Sequence, residues 1–187
     1  MIQNLLCGAI INLLYLHNMI IRLLSTITLL VSINSLANAD KWHNSNNYLS
    51  ISIGQFDIND TKDSVEYRIE YLKGSISKFS PGNLSLKPFY GAMINGDDGK
   101  YFYSGIRKDI VLSNKTYLTP SFAVGYYDQG KSKDLGYDLE FRSQLEFSYK
   151  LESMNRIAIS VNHISNASLG EQNPGVESMV ISFIRAF

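Results

Sequence analysis

From about residue 47 to the end of the chain, apolar and polar residues alternate almost one for one, and no long stretch keeps the spacing of an amphipathic helix. Side chains of a strand point alternately to its two faces, so this period predicts strands, each with one apolar face. Eight runs carry it: 47–57, 64–73, 84–94, 101–112, 116–127, 139–151, 156–165 and 177–187. The clearest is 139–151, where Leu139, Phe141, Leu145, Phe147, Tyr149 and Leu151 share one face and Glu140, Arg142, Gln144, Glu146 and Lys150 the other. The run 64–73 sets Val65, Tyr67, Ile69 and Tyr71 against Glu66, Arg68 and Glu70. Turn-forming residues separate the runs, among them Ser80-Pro81-Gly82-Asn83, Asn95-Gly96, Asp128-Gln129-Gly130 and Asn173-Pro174-Gly175.

Alternation alone does not say which face meets water, because a soluble sandwich alternates too. Residues 1–39 change the picture, since they hold a single charge, Arg22, and no acid. Met19-Ile20-Ile21-Arg22 opens an apolar run to about Ile33, and Leu36-Ala37-Asn38-Ala39 follows, the order of a secretory signal with its cleavage site. The expected leader is therefore 1–39, with Met19 as a second possible start and Asp40 as the first mature residue; a retained membrane anchor is the competing expectation. Export, strand lengths near the 9–11 residues that cross a bilayer when tilted, and Tyr and Phe near strand ends together favour a membrane barrel. The chain also ends in Phe187 after an alternating strand, which resembles the terminal signature of bacterial outer-membrane proteins. The expected fold is all-β, an eight-stranded antiparallel transmembrane β-barrel over 40–187, whose mixed Glu, Arg and Lys pair inside a narrow lumen. An even strand number puts both termini on the periplasmic side. The links 113–115 and 152–155 are then short periplasmic turns, although the link 74–83 is longer than that scheme expects.

Charge excludes one partner class. With 17 basic and 17 acidic residues and no basic cluster, the chain has no nucleic-acid footprint. The single cysteine, Cys7, lies in the leader, so the mature chain has no thiol chemistry, and His43 and His163 are too few for a Cys/His metal cluster. No metal or organic cofactor is expected.

Candidate chemistry gathers at one hairpin. His163 and Ser165 lie on the face of Ile157, Ile159 and Val161, while Glu177 lies on the face of Met179, Ile181 and Phe183 in the following strand. A hydroxyl, an imidazole and a carboxylate are the parts of an acyl-transfer site: nucleophile, base and the group that orients the base. In a barrel these side chains continue the lipid-facing row, where a lone Glu is costly. His163-x-Ser165-Asn166-Ala167, followed by Asn173-x-Gly175-x-Glu177 at the start of the last strand, resembles the lipid A 3-O-deacylases (PagL), closely over about 156–187 and only in architecture before that. The resemblance implies Ser165 as nucleophile, His163 as base, Glu177 as its orienting group and Asn166 as oxyanion-hole contributor. It also implies lipid A of lipopolysaccharide as substrate, in the outer membrane with the site at the outer leaflet. Two other readings stay open: a non-enzymatic structural or adhesin-like barrel, and a phospholipase of the same leaflet. Acyl position, chain length and oligomeric state are not legible.

Overall fold

The computed structural model describes residues 46–58, 63–74, 86–152 and 154–187. All lie in the compact unit Lys41–Phe187. The leader with its cleavage site, His43 and most of the link 74–83 fall outside the described residues.

The strands are β1 (Tyr48–Phe56), β2 (Ser64–Leu72), β3 (Lys87–Asn95), β4 (Lys100–Arg107), β5 (Ile110–Val111), β6 (Thr116–Asp128), β7 (Leu139–Lys150), β8 (Arg156–Ser165) and β9 (Val176–Ala186). All pairs are antiparallel, and the order β4-β3-β2-β1-β9-β8-β7-β6-β5 closes through β4 against β6. The result is a closed eight-stranded antiparallel barrel, in which β4 and β5 form one stave. Among the described residues closure leaves no unpaired strand edge, the condition a sheet must meet to cross hydrocarbon. The stave break is a proline effect. Arg107 pairs with Ser121 and Ile110 with Leu118, so the register runs unbroken past Lys108 and Asp109. Lys108 N–H donates to Pro120 O at 3.1 Å, and Pro120 has no N–H to return.

Burial shows which face is which. Ser50, Ser52, Glu66, Arg68, Glu70, Arg142, Glu146, Ser160 and Ser182 are buried inside, while Ile53, Ile69, Phe102, Phe122, Phe147 and Ile181 are exposed outside. An apolar outer wall over a polar interior inverts the soluble arrangement and suits lipid as the surrounding solvent.

The lumen is filled by charge pairs. In its middle Arg142 Nη2 donates to Glu70 Oε1 at 2.8 Å, and the Tyr103 hydroxyl donates to the same oxygen at 2.9 Å. The Arg142 guanidinium also lies 4.1 Å over the Tyr103 ring, and Arg68 pairs with Glu66. At the end where the chain enters β1, Asp109 collects Lys87 Nζ at 3.0 Å, Arg107 Nη1 at 2.7 Å, Arg156 Nη1 at 3.3 Å and the Thr119 hydroxyl at 3.1 Å. A residual cavity among Glu70, Phe89, Arg107, Thr119, Gln144 and Glu146 has a volume of only about 10 Å³. That is about the space of one water, so this level of the barrel is packed rather than open as a pore.

At the opposite end the loop between β6 and β7 folds back over the barrel mouth. Leu135 is 1% exposed, Lys133 Nζ donates to Asp57 Oδ1 at 3.0 Å, and Asn95 Nδ2 donates to Ser132 Oγ at 2.7 Å. The site lies at this end.

Candidate active site on the barrel wall

β8 and β9 pair with His163 directly opposite Glu177. Directly opposite residues of an antiparallel pair carry their side chains on the same face and within contact range. His163 Nδ1 and Glu177 Oε1 are 2.9 Å apart, and the side chains are 45% and 43% exposed on the outer wall. An ionised carboxylate only accepts, so Nδ1 carries the proton and Nε2 presents its lone pair. Gly175 makes room for the ring. Its φ is +65°, and a Cβ there would stand 2.7 Å from His163 Cε1. An alanine would be strained in its backbone and would push the imidazole aside. If His163 is catalytic, Gly175→Ala is expected to lower the rate about 100-fold, as misplacing a catalytic group by about 1 Å does, while heat-modifiable gel migration stays that of a folded barrel.

Ser165 ends β8 on the same face, two residues on, which is about 6.8 Å along the strand axis. No hydrogen bond joins its hydroxyl to His163 among the described residues; such contacts tighten when substrate is bound. On its other side Ser165 pairs with Phe141, whose ring stacks on Phe122 at 6.0 Å. Ser143 of β7 lies directly across from His163, a second hydroxyl near the imidazole that the strand pattern alone did not single out. Toward the membrane, Val161 is flanked by Leu145 and Met179, and Ile159 by Phe147 and Ile181. These form an apolar track below the polar cluster.

Asn166 is turned the other way. It is fully buried, and its Nδ2 donates to Leu135 O at 2.8 Å and Gln172 O at 2.7 Å. Its N–H donates to Asn173 Oδ1 at 3.0 Å, which gives Asn173 a role beyond turn chemistry. Ala167 and Ser168 follow at φ of +54° and +64°, two left-handed residues in succession beside the cluster. The structure thus joins His163 to Glu177, places Ser165 on their face, and uses Asn166 to brace two loops. Among the described residues, no three His, Cys, Asp or Glu side chains group as metal ligands.

A closed antiparallel barrel with an apolar wall, a packed lumen and a Ser, His and Glu cluster on the wall defines a small transmembrane β-barrel with a polar cluster on its outer face. Residues 109–184, which contain β5 to β8 and all four candidate residues, match the family model described as lipid A 3-O-deacylase (PagL). Among solved structures, the crystal structure of the outer membrane enzyme PagL is similar at a TM-score of 0.57 and 17% identity, over 73% of this chain and 97% of that one. A de novo designed transmembrane β-barrel is similar at a TM-score of 0.53 and 12% identity, over 76% of this chain and 96% of that one. At such identities the structural likeness is one of fold. No curated protein matches the chain.

Proposed function

We propose that this protein is an outer-membrane hydrolase that removes the ester-linked 3-O acyl chain of lipid A, with Ser165 as nucleophile, His163 as base and Glu177 as the group that orients His163. The observation that carries the reading is the 2.9 Å His163–Glu177 pair on the outer wall, on the same face as Ser165 two residues further along β8. The family match over residues 109–184 supplies the substrate class. Ser165 Oγ attacks the ester carbonyl as His163 Nε2 takes its proton, and the proton passes to the departing sugar oxygen. Water then attacks the acyl-enzyme, gives its proton to His163, and fatty acid leaves as Ser165 is reprotonated. The acyl chain lies on the apolar track while the ester sits at the rim, within reach of water. With the termini periplasmic, this rim belongs to the outer leaflet.

Asn166 is the proposed oxyanion donor. Both hydrogens of its amide are engaged, so the role requires Nδ2 to exchange Gln172 O for the substrate oxygen. Asn166→Ala is expected to lower the rate about 100-fold or more, the usual loss for one oxyanion donor, measured as fatty acid release at saturating substrate.

The direct test is mass spectrometry of lipid A from cells with and without the protein. Loss of one ester-linked acyl chain supports the reading. Unchanged lipid A together with cleaved phospholipid would move the same site to a phospholipase, and no lipid change at all would leave a structural barrel.

A further inference from the structure

Where β7 begins beside the end of β8, two buried acceptors stand without a donor. Both carboxylate oxygens of Glu140 and Oδ1 of Asn166 are buried and have no hydrogen-bond partner among the described residues. Each residue is 0% exposed. Phe141 pairs with Ser165, and Glu140 and Asn166 are the next residues outward from that pair on the two facing chains. Both turn to the inner face, so the register sets their side chains beside each other, behind the wall that carries Ser165. The Asn166 amide is oriented from its far end. Its Nδ2 donates to Leu135 O at 2.8 Å and to Gln172 O at 2.7 Å, and only the NH₂ end can meet two carbonyls. Oδ1 is therefore the end turned away from both loops.

The polar groups around Glu140 are engaged elsewhere. On β6 its partner is Gly125, which has no side chain. The Tyr101 hydroxyl donates to the main-chain oxygen of Glu140 at 2.9 Å, and the Tyr127 hydroxyl donates to Lys133 O at 3.0 Å. Arg142, two residues along the same face, donates to Glu70, and its guanidinium lies over the rings of Tyr103 and Phe89. At the same mouth Asp57 is paired with Lys133, and Arg68 is paired with Glu66. A carboxylate buried without a donor or a cation is costly, and two acceptors side by side repel. A single proton between them removes both penalties, since a neutral carboxylic acid donates its O–H and the amide oxygen accepts it.

We infer that Glu140 is a positioning residue for the ester cleavage: as a neutral acid it donates to Asn166 Oδ1 and holds the Asn166 NH₂ on the side of Gln172 O, ready for the oxyanion. The inference rests on the proposed oxyanion role of Asn166 and deepens it. A donor at Oδ1 draws charge from the amide nitrogen and strengthens its N–H groups as donors. It also opposes the flipped amide, in which Oδ1 would meet the oxyanion and repel it. An ionised Glu140 would favour that flip, because Nδ2 could then donate to the carboxylate.

Infrared difference spectra of the full-length protein in detergent at neutral pH read the proton directly. Subtracting Glu140→Gln from wild type is expected to reveal the carbonyl band of a protonated carboxyl group. Asn166→Ala is expected to shift that band, because its hydrogen bond is lost. Turnover of purified lipid A reads the consequence. Glu140→Leu is expected to lower kcat about tenfold with KM changed less than about twofold, as losing one hydrogen bond felt only in the transition state does. Glu140→Gln, whose NH₂ can donate to Oδ1, is expected to restore most of the rate. Glu140→Leu combined with Asn166→Ala is expected to be no slower than Asn166→Ala alone, since the first residue acts through the second. A carboxylate band in place of the acid band, as pairing with Arg142 would give, overturns the inference. So does an acid band indifferent to Asn166→Ala, a Gln variant as slow as the Leu variant, or fully additive losses. Wild-type protein that shows the acid band and its shift yet releases no fatty acid would keep the hydrogen-bonded pair and remove the deacylase reading, whereas release of fatty acid without the acid band would remove the pair alone.

Discussion

Ser165→Ala and His163→Ala proteins are expected to release no measurable fatty acid from purified lipid A, with the double variant scarcely worse than either, because the proposed nucleophile and base act as one unit. Both side chains lie on the outer wall and fill no core, so heat-modifiable migration and the β-type circular dichroism spectrum remain those of the wild type. Ser143→Ala is the decisive control. Ser143 faces His163 across the β7–β8 pair, so loss of activity there, with Ser165→Ala still active, would transfer the nucleophile to β7. Glu177→Ala is expected to retain part of the rate, since in the proposed mechanism it only orients the base and is less indispensable than the groups that make and break bonds.

The largest effect on stability is expected at Asp109, far from the chemistry. Its carboxylate is the common partner of Lys87, Arg107 and Arg156, whose side chains are 4%, 6% and 4% exposed. Asp109→Ala leaves three cations facing one another in a packed lumen. Breaking such a buried arrangement by removing one partner costs about 3–5 kcal/mol. Urea unfolding in lipid vesicles, followed by gel migration, reads this as a lower midpoint with unchanged slope. A loss below about 1 kcal/mol would mean that water or lumen rearrangement compensates the cations, and the hub would not be a keystone of the fold.

The barrel was legible because a two-residue period survives every local detail. Each of the eight expected runs corresponds to a stave, with ends displaced by about three residues at most. The stave broken at Lys108 and Asp109 was not anticipated, since its cause, Pro120, sits across the sheet rather than beside it in sequence. The Asp109 hub was hidden for the same reason: its partners come from β3, β4 and β8 and meet only once the registers are set.

In the site, parity placed His163 and Ser165 on the lipid face and the register set Glu177 opposite His163. Strand parity continued one residue past β8 also puts Asn166 on the inner face. An even-numbered residue following Ile164 belongs to the inner face, where the structure places it. The backbone contact of Gly175 with the imidazole, and the return of the β6–β7 loop across the barrel mouth, depend on tertiary approach and left no local pattern.

On the proposed reading, a polar cluster carried on the outside of a barrel, instead of in its lumen or in a solvent-filled cleft, would meet its substrate in two dimensions. Collision frequency then depends on the mole fraction of substrate in the surrounding leaflet and on lateral diffusion, not on molarity in the bulk. Diluting mixed micelles with neutral detergent at constant total substrate should slow the reaction, whereas diluting the whole sample with buffer should not. In the proposed reaction the released fatty acid would depart into the same plane, so product accumulating in the leaflet would compete for the apolar track in proportion to its surface density.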